Sequence, residues 1–492
     1  MISSALRLTK IERIADGVAP RVLELCSGCG GMSLGLQTAG FQLVAHVESD
    51  QTAAASYSMN LAPSDGASEA WTAPRDMVAC GPETLAADLN LGDPGEAFDI
   101  LAAGLPCQAF ARIGRSKLRS ITGDDEAFRN DPRAQLYRRF LEYVETVQPV
   151  VILIENVPDI LNFGGHNIPE EICETLDEMG YETRYTLLNA AFYGVPQLRE
   201  RLFLVAVDRR LGYVPTFPAP SHAAELPSGY EGARTVALKY IPTHNSHFHP
   251  IPVAADGLPG AVSVKAALSD LPYISEHYRD PVTMRRRKVG DFLPYRSSAS
   301  LPSYATQMRK WQGFGTGSQV DGHVVRLTPR DFAIFRRMPT GADYPTALKI
   351  AEEIFAEKLK AEQSRPRRGS IRYEEARRSC VPPYDPGKFP NKWWKLEPTS
   401  PSRTLTAHMG KDTYSHIHWD SRQQRTVSVR EAARLQSFPD GFRFAGAMNA
   451  AFRQIGNAVP PLLALAVARH LKAELAAGAA RAVLAGSRRR AA

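Results

Sequence analysis

Cysteine is scarce in this chain, six in 492 residues, and lacks the dense, even spacing of a secreted disulfide framework. No charged-then-apolar leader opens the sequence, so a reducing cytoplasm is the expected compartment. Long hydrophobic runs are missing too. The longest, "AVPPLLALAVA" at 458–468, is followed at once by Arg469, His470 and Lys472 and falls short of the about 20 residues that span a bilayer. No membrane partner is expected. Internal repeats and long low-complexity tracts are absent, which excludes solenoids and fibrous chains. What is present is 44% hydrophobic residues over a length suited to two or more domains, with a net charge of +7 at 23% charged residues. That excess is mild, and it permits nucleic acid without demanding it.

From Val22 to Val207 apolar runs alternate with helix-length amphipathic stretches. The strand-like runs are "RVLEL" (21–25), "FQLVAHV" (41–47), "FDILAAG" (98–104), "VVILIEN" (150–156), "YTLLNA" (185–190) and "RLFLVAV" (201–207). Between them lie "AQLYRRFLEYVETV" (134–147) and "EEICETLDEMG" (170–180), the second ending on a helix-stopping glycine. The pattern predicts an α/β fold with a doubly wound, mostly parallel Rossmann-like sheet and a second, smaller domain. Past "YVPTFPAPSH" the period weakens and basic clusters appear, "RRRK" at 285–288 and six arginines against two glutamates between Arg365 and Arg378. Regular structure returns with "SVREAARLQ", where Ser428 and Glu431 have capping-box spacing. A last helix is expected after "GNAVPP".

Ligands of such sheets bind beyond the carboxyl ends of the strands. After the first strand, "CSGCGGMSLGLQTAGF" offers two readings. Cys26 and Cys29 have the spacing of a dithiol or half a zinc site, whereas Gly28, Gly30 and Gly31 suit a backbone that cradles a ligand. The dinucleotide fingerprint is incomplete, because Ser33 stands where its third glycine belongs. Glu48, twenty residues beyond Gly28, ends the second strand and can accept both hydroxyls of a ribose. A nucleoside without a pyrophosphate therefore fits better than NAD, and S-adenosylmethionine is such a ligand. After another run comes "GLPCQAF", where Cys107 is a candidate nucleophile next to Pro106, which fixes the backbone. "ENV" puts Glu155 and Asn156 at the end of an all-apolar strand. That setting favours a carboxyl able to donate a proton near neutrality, the bland alternatives being a helix cap or a salt-bridge glutamate. In "QLRER", Gln197, Arg199 and Arg201 alternate into a strand, so an amide and two guanidiniums are expected on one face.

With these loops in order, the chain resembles the DNA (cytosine-5) methyltransferases, specifically at "PCQ", "ENV" and "QLRER", then at "SVREAARLQSFPD" and "FRQIGNAVPP". The resemblance implies S-adenosylmethionine as cofactor and a flipped cytosine in a specific double-stranded DNA sequence as substrate. It makes Cys107 the nucleophile, Glu155 the acid at cytosine N3 and Arg201 the contact to cytosine O2, with Arg199 supporting the same site. Cofactor contacts carry over to Cys26, Ser27, Gly28, Cys29, Gly30, Gly31, Glu48, Pro106 and Asn457, with Asp76 in "PRDM" for the adenine. Gln108 and Gln197 fall among the DNA contacts. It also implies domains at 1–215 (catalytic) and 216–425 (target recognition), with 426–475 as a target-domain helix and return to the catalytic domain, and 476–492 as a basic, disordered tail. Three positions depart from the family: Cys26 replaces an aromatic, Leu105 a proline and Ala111 a serine. None is a reacting group.

No second CxxC or histidine cluster completes a zinc tetrahedron around Cys26 and Cys29, because the other four cysteines are scattered. That favours the cradle, and no metal is expected. Arg285, Arg286 and Arg287 are expected on DNA phosphates. Expected partners are duplex DNA, bound by a monomer, and a cognate restriction or phage-defence system. Two rival readings are a tRNA cytosine-5 methyltransferase of the same fold and an inactive DNA-binding relative. The long middle segment argues against the first, and retention of Cys107, Glu155 and Arg201 against the second. An oxidoreductase would need the missing glycine.

Overall fold

The computed structural model describes residues 4–63, 68–106, 132–162, 166–239, 241–242, 244, 246–297, 300–362, 365–410 and 414–491. The chain forms two compact units, one of residues 1–194, 200–260 and 458–492, the other of 195–199 and 261–457. Residues 216–260, expected to open the second domain, thus fold with the first unit.

The first unit opens with α1 (Ser4–Ala15), β1 (Arg21–Leu25), α2 (Gly31–Thr38), β2 (Gln42–Val47) and α3 (Gln51–Leu61). It continues through β3 (Ile100–Ala103), α4 (Pro132–Val147), β4 (Val151–Asn156), α5 (Ile168–Glu178), β5 (Tyr181–Asn189) and β6 (Glu200–Asp208). The six strands lie in the order β2-β1-β3-β4-β6-β5. β1 to β4 are mutually parallel, and β6 runs antiparallel to both its neighbours. β4 is buried on both faces along its length, as an all-apolar central strand must be. On α4, Tyr137, Phe140, Val144 and Val147 repeat at helical spacing and are buried, which seats that helix on the sheet. α5 stops at Met179, followed by Gly180 at φ +92°, as its sequence predicts.

The outer edge of β5 is covered by residues 247–249. Tyr185 donates its backbone N–H to the His247 carbonyl (3.1 Å) and accepts from His249 (2.8 Å). His247 also clasps α5, its Nδ1 2.6 Å from Glu170 and its Nε2 2.8 Å from Asp177. Those hydrogen bonds raise its pKa to about 9 from 6.5. The clasp therefore stabilises fully below about pH 6.5 and is lost as pH rises through about 9. His247→Asn is expected to cost about 1 to 3 kcal/mol at pH 6. The gap to wild type should close by pH 10 in urea melts, and a gap that stays constant with pH would show that the clasp is not ionic.

In the second unit, α6 (Tyr344–Ala361), α7 (Ile371–Arg378), β7 (Trp393–Lys395), β8 (Tyr414–Ile417), α8 (Val429–Leu435) and α9 (Met448–Asn457) follow. α6 is capped by Asp343. Its core joins Phe335, Met338, Tyr344, Trp393, Tyr414 and Ile417. The Ser428–Glu431 capping box opens α8 as the sequence predicts. Its charges are buried in pairs, Arg425 with Glu431 (2.6 Å) and Arg434 with Asp270 (3.1 Å), which is how such a charge survives outside water.

The chain then returns to the first unit in α10 (Pro461–Ala491). This helix runs on to Ala491, into the 476–492 segment expected to be disordered; alanines at most positions from Ala473 to Ala485 carry high helix propensity toward the arginines. α10 packs backbone to backbone on α2, where a Cβ on Gly35 would stand 2.5 Å from Ala464 and 2.6 Å from the Leu465 nitrogen. Among the described residues no helix is long and apolar enough to cross a membrane.

Candidate active site

The glycine loop between β1 and α2 is held in conformations that few side chains adopt. Gly28 and Gly30 have φ of +57° and +92°, and so does Cys26 at +54°. A Cβ on Gly30 would strike Leu61 at 2.3 Å and one on Gly31 the Val459 carbonyl at the same distance, whereas the space over Gly28 is open. Here is room for a ligand against bare backbone. Ser27 is fixed beneath by His46 Nδ1 at 3.2 Å, and burial lowers that histidine to about 4, so it is neutral. Ser33, the residue that breaks the dinucleotide pattern, donates to Glu24 and meets the Tyr57 hydroxyl at 2.7 Å. Burial raises Glu24 to about 8. The serine belongs to a buried polar network under the loop, which a glycine could not complete.

Cys26 Sγ lies 3.8 Å from Met77 Sδ. Burial, then Glu48, Glu24 and Asp76, pushes its thiol up to about 12, and Cys29 goes further for the same first cause. Both thiols therefore rest protonated near neutrality, unlike the low-pKa thiolate of a reactive dithiol. None of the described cysteines is in a disulfide.

Glu48 stands at the end of β2, accepting from Gly28 N–H (2.8 Å) and Asp50 N–H (2.7 Å) with one oxygen each. Burial raises its pKa, against those two bonds. Each oxygen keeps a second acceptor site, enough for the two hydroxyls of a ribose. The "PRDM" segment is fastened alongside, with Arg75 N–H donating to the Glu48 carbonyl at 2.8 Å. Asp76 there is exposed and accepts from Val78 N–H. Asn457 ends α9 in the second unit, exposed.

At the far ends of the central strands the antiparallel course of β6 decides the geometry. Its register sets Asn156 opposite Leu202 and Glu155 opposite Phe203, so the start of β6 meets the finish of β4. Arg201 Nε thereby reaches Glu155 Oε1 at 2.9 Å, both largely buried. Burial lowers the Arg201 pKa and the Glu155 charge opposes that. Arg201 also donates to the Glu200 carbonyl (2.7 Å), while the Glu200 carboxylate takes a bidentate grip from Arg234 (2.8 and 2.9 Å). Asn156 donates to the Leu105 carbonyl at 2.8 Å. This tie across β3 and β4 fixes the backbone two residues before Cys107. Its signal in the sequence was an amide in "ENV" where an apolar strand would have continued.

Pro106 is exposed at the last described position of this loop. Cys107, Gln108 and Ala111 lie outside the described residues. Arg199 and Gln197 do not join Arg201. β6 begins only at Glu200, and before it Gln197 N–H turns back to Val195 and Arg199 N–H to Gln197, so the two-residue period is not yet established. Arg199 is buried in the second unit, donating to the carbonyls of Leu405 (2.8 Å) and Gly456 (2.9 Å). Gln197 is fully buried, donating to Leu435 and Gln436 and accepting from Leu405. Both side chains thus meet partners within the second unit. Of the predicted phosphate contacts, Arg285 and Arg286 are exposed, but Arg287 pairs with Glu276 at 3.0 Å, its own side chain 8% accessible.

A family model described as C-5 cytosine-specific DNA methylase matches residues 20–473. The chain is 37% identical over 474 residues to M.OihORF3336P of Oceanobacillus iheyensis, covering 94% of this chain and 97% of that one. It is 30% identical over 478 residues to the type II methyltransferase M.AgeI of Thalassovita gelatinovora, covering 92% and 99%. A prophage-encoded protein of E. coli shares the fold at TM-score 0.54 and 20% identity, over 92% of this chain and 98% of that one.

Proposed function

Since the chain belongs to the C-5 cytosine-specific DNA methylases, we propose that it methylates one cytosine within a specific duplex DNA sequence by covalent attack of Cys107. The observation that carries this reading is the Glu155–Arg201 pair at the close of β4, with Asn156 holding the strand that leads into Cys107. A carboxyl and a guanidinium side by side match the N3 and O2 edge of a cytosine.

The loop from Cys26 to Gly31, Glu48 and the Asp76 segment would hold S-adenosylmethionine, with Glu48 on its ribose. That cofactor supplies an electrophilic methyl group. Cytosine C5 is a poor nucleophile, so Cys107 adds to C6 while Glu155 holds the proton at N3, which makes C5 enamine-like. Arg201 holds O2 and keeps Glu155 oriented. Once C5 carries the methyl group, its proton leaves, the C6–S bond breaks and the thiolate is restored. A base within a stacked duplex cannot reach these groups, so it is turned out of the helix. The enzyme works in the cytoplasm as a monomer on DNA, and likeness to a type II methyltransferase supports a partner restriction system.

Bisulfite sequencing of DNA from cells expressing the protein tests this reading. One recurrent methylated motif is expected; unmodified DNA, with 5-methylcytosine in tRNA instead, would favour the RNA alternative.

The exposed arginines sharpen the phosphate assignment. Replacing Arg285 and Arg286 with alanine should lower the salt slope of DNA binding by about two, with thermal stability and motif unchanged. Arg287→Ala should leave the slope alone and lower the melting temperature. An equal slope change from Arg287→Ala would mean that its pairing with Glu276 opens on DNA.

A further inference from the structure

Most arginines fixed inside the second unit are spent on carboxylates, as Arg425, Arg430 and Arg434 are on Glu431, Asp321 and Asp440. Arg403 is fixed without being neutralised. Its guanidinium lies 4.2 Å over the Trp394 ring and donates through Nη2 to Asn391 Oδ1 at 3.1 Å. Among the described residues no carboxylate pairs with it. The backbone around it is fastened on both sides: Ser402 exchanges bonds with Pro196 and Leu198 (2.9 and 2.8 Å). Thr404 donates to Leu198 (2.6 Å), and the Arg403 carbonyl meets His416 Nε2 at 3.1 Å. The loop that presents Asn391 is braced as well. Asp385 accepts from Gly387 and Phe389 (2.8 and 3.0 Å) and Lys392 donates back to Phe389 (3.2 Å).

A phosphate needs only a positive charge within reach, and a mobile side chain supplies it. A guanidinium whose plane is set by a stacked ring and a side-chain amide, with its remaining donors unclaimed by acids, suits a planar acceptor pair. In duplex DNA that pair is O6 and N7 of guanine in the major groove. Resting on the DNA-methylation reading, we propose that Arg403 reads a guanine of the methylated sequence through those two atoms, with Trp394 and Asn391 holding its fork in register.

The test is a motif measurement. Wild type, Arg403→Ala, Arg403→Lys and Asn391→Ala are each expressed in bacteria lacking cytosine methylation, and the genomes are bisulfite-sequenced. Arg403→Ala should lose its preference for guanine at one position by about ten- to a hundredfold and keep the others. Arg403→Lys, which cannot make the bidentate contact, and Asn391→Ala should relax that same position by less. These two milder variants decide the matter if Arg403→Ala proves unable to fold. A motif unchanged at every position in the variants that methylate, with activity lowered uniformly, would make Arg403 a phosphate contact and overturn the inference alone. A wild-type genome without 5-methylcytosine would overturn the activity reading and this inference with it.

Discussion

Replacing Cys107 with serine is expected to abolish covalent capture of duplex DNA that carries 5-fluorocytosine at the target position. Wild-type enzyme with S-adenosylmethionine should form a complex that survives denaturing electrophoresis, because fluorine at C5 cannot leave as a cation and the C6–S bond then persists. The companion variant, Cys26→Ser with Cys29→Ser, should still be trapped. Both of its thiols are held protonated by burial, and serine keeps nearly the volume that the loop encloses. A zinc or dithiol role for the pair predicts the reverse pattern: the double variant unfolded, metal in the purified protein, and Cys107→Ser unharmed. An adduct mapped to any other cysteine would refute the assignment of Cys107.

Glu155→Gln should lower turnover about a hundredfold or more while cofactor affinity changes little. The amide keeps the shape and can accept from Arg201 Nε, as the carboxylate does at 2.9 Å, but it cannot pass a proton to N3, and general acid catalysis of this kind is worth about a hundredfold upward. Glu155→Ala is the contrasting variant. It strands Arg201, 12% accessible at its side chain, and removing one member of a buried pair costs about 3 to 5 kcal/mol. Its melting temperature should therefore fall where that of the glutamine variant holds. Single-turnover methylation and calorimetric cofactor binding separate the two effects. Near-normal turnover in Glu155→Gln would take this carboxyl out of the mechanism.

Much of this was legible in the residues. Apolar runs located all six strands because a strand buried on both faces needs nearly every residue apolar. The polar half of β5, from Tyr181 to Arg184, hid its beginning. Direction was not legible: "RLFLVAV" reads the same in a parallel or an antiparallel strand, yet the reversal of β6 alone brings Arg201 to Glu155. Gln197 and Arg199 misled because period-two reasoning holds only inside a strand, and their stretch turns twice before β6 starts. The pairing of Arg287 was not legible either, because a basic run says nothing of which member finds Glu276. Asn156 was visible as an anomaly whose partner, Leu105, depends on strand order.

The close seating of α2 on α10 bears on how the protein is made. Val459, Ala464 and Leu465 press on glycines at positions 31 and 35, a separation of more than 400 residues. A ribosome that has delivered the glycine loop and all six strands of the sheet cannot complete that layer until the second unit has also emerged. Nascent chains should therefore carry an open hydrophobic flank along α2 for most of synthesis and depend on chaperones. Messages truncated before codon 460 should yield protein that is degraded rather than a smaller working enzyme.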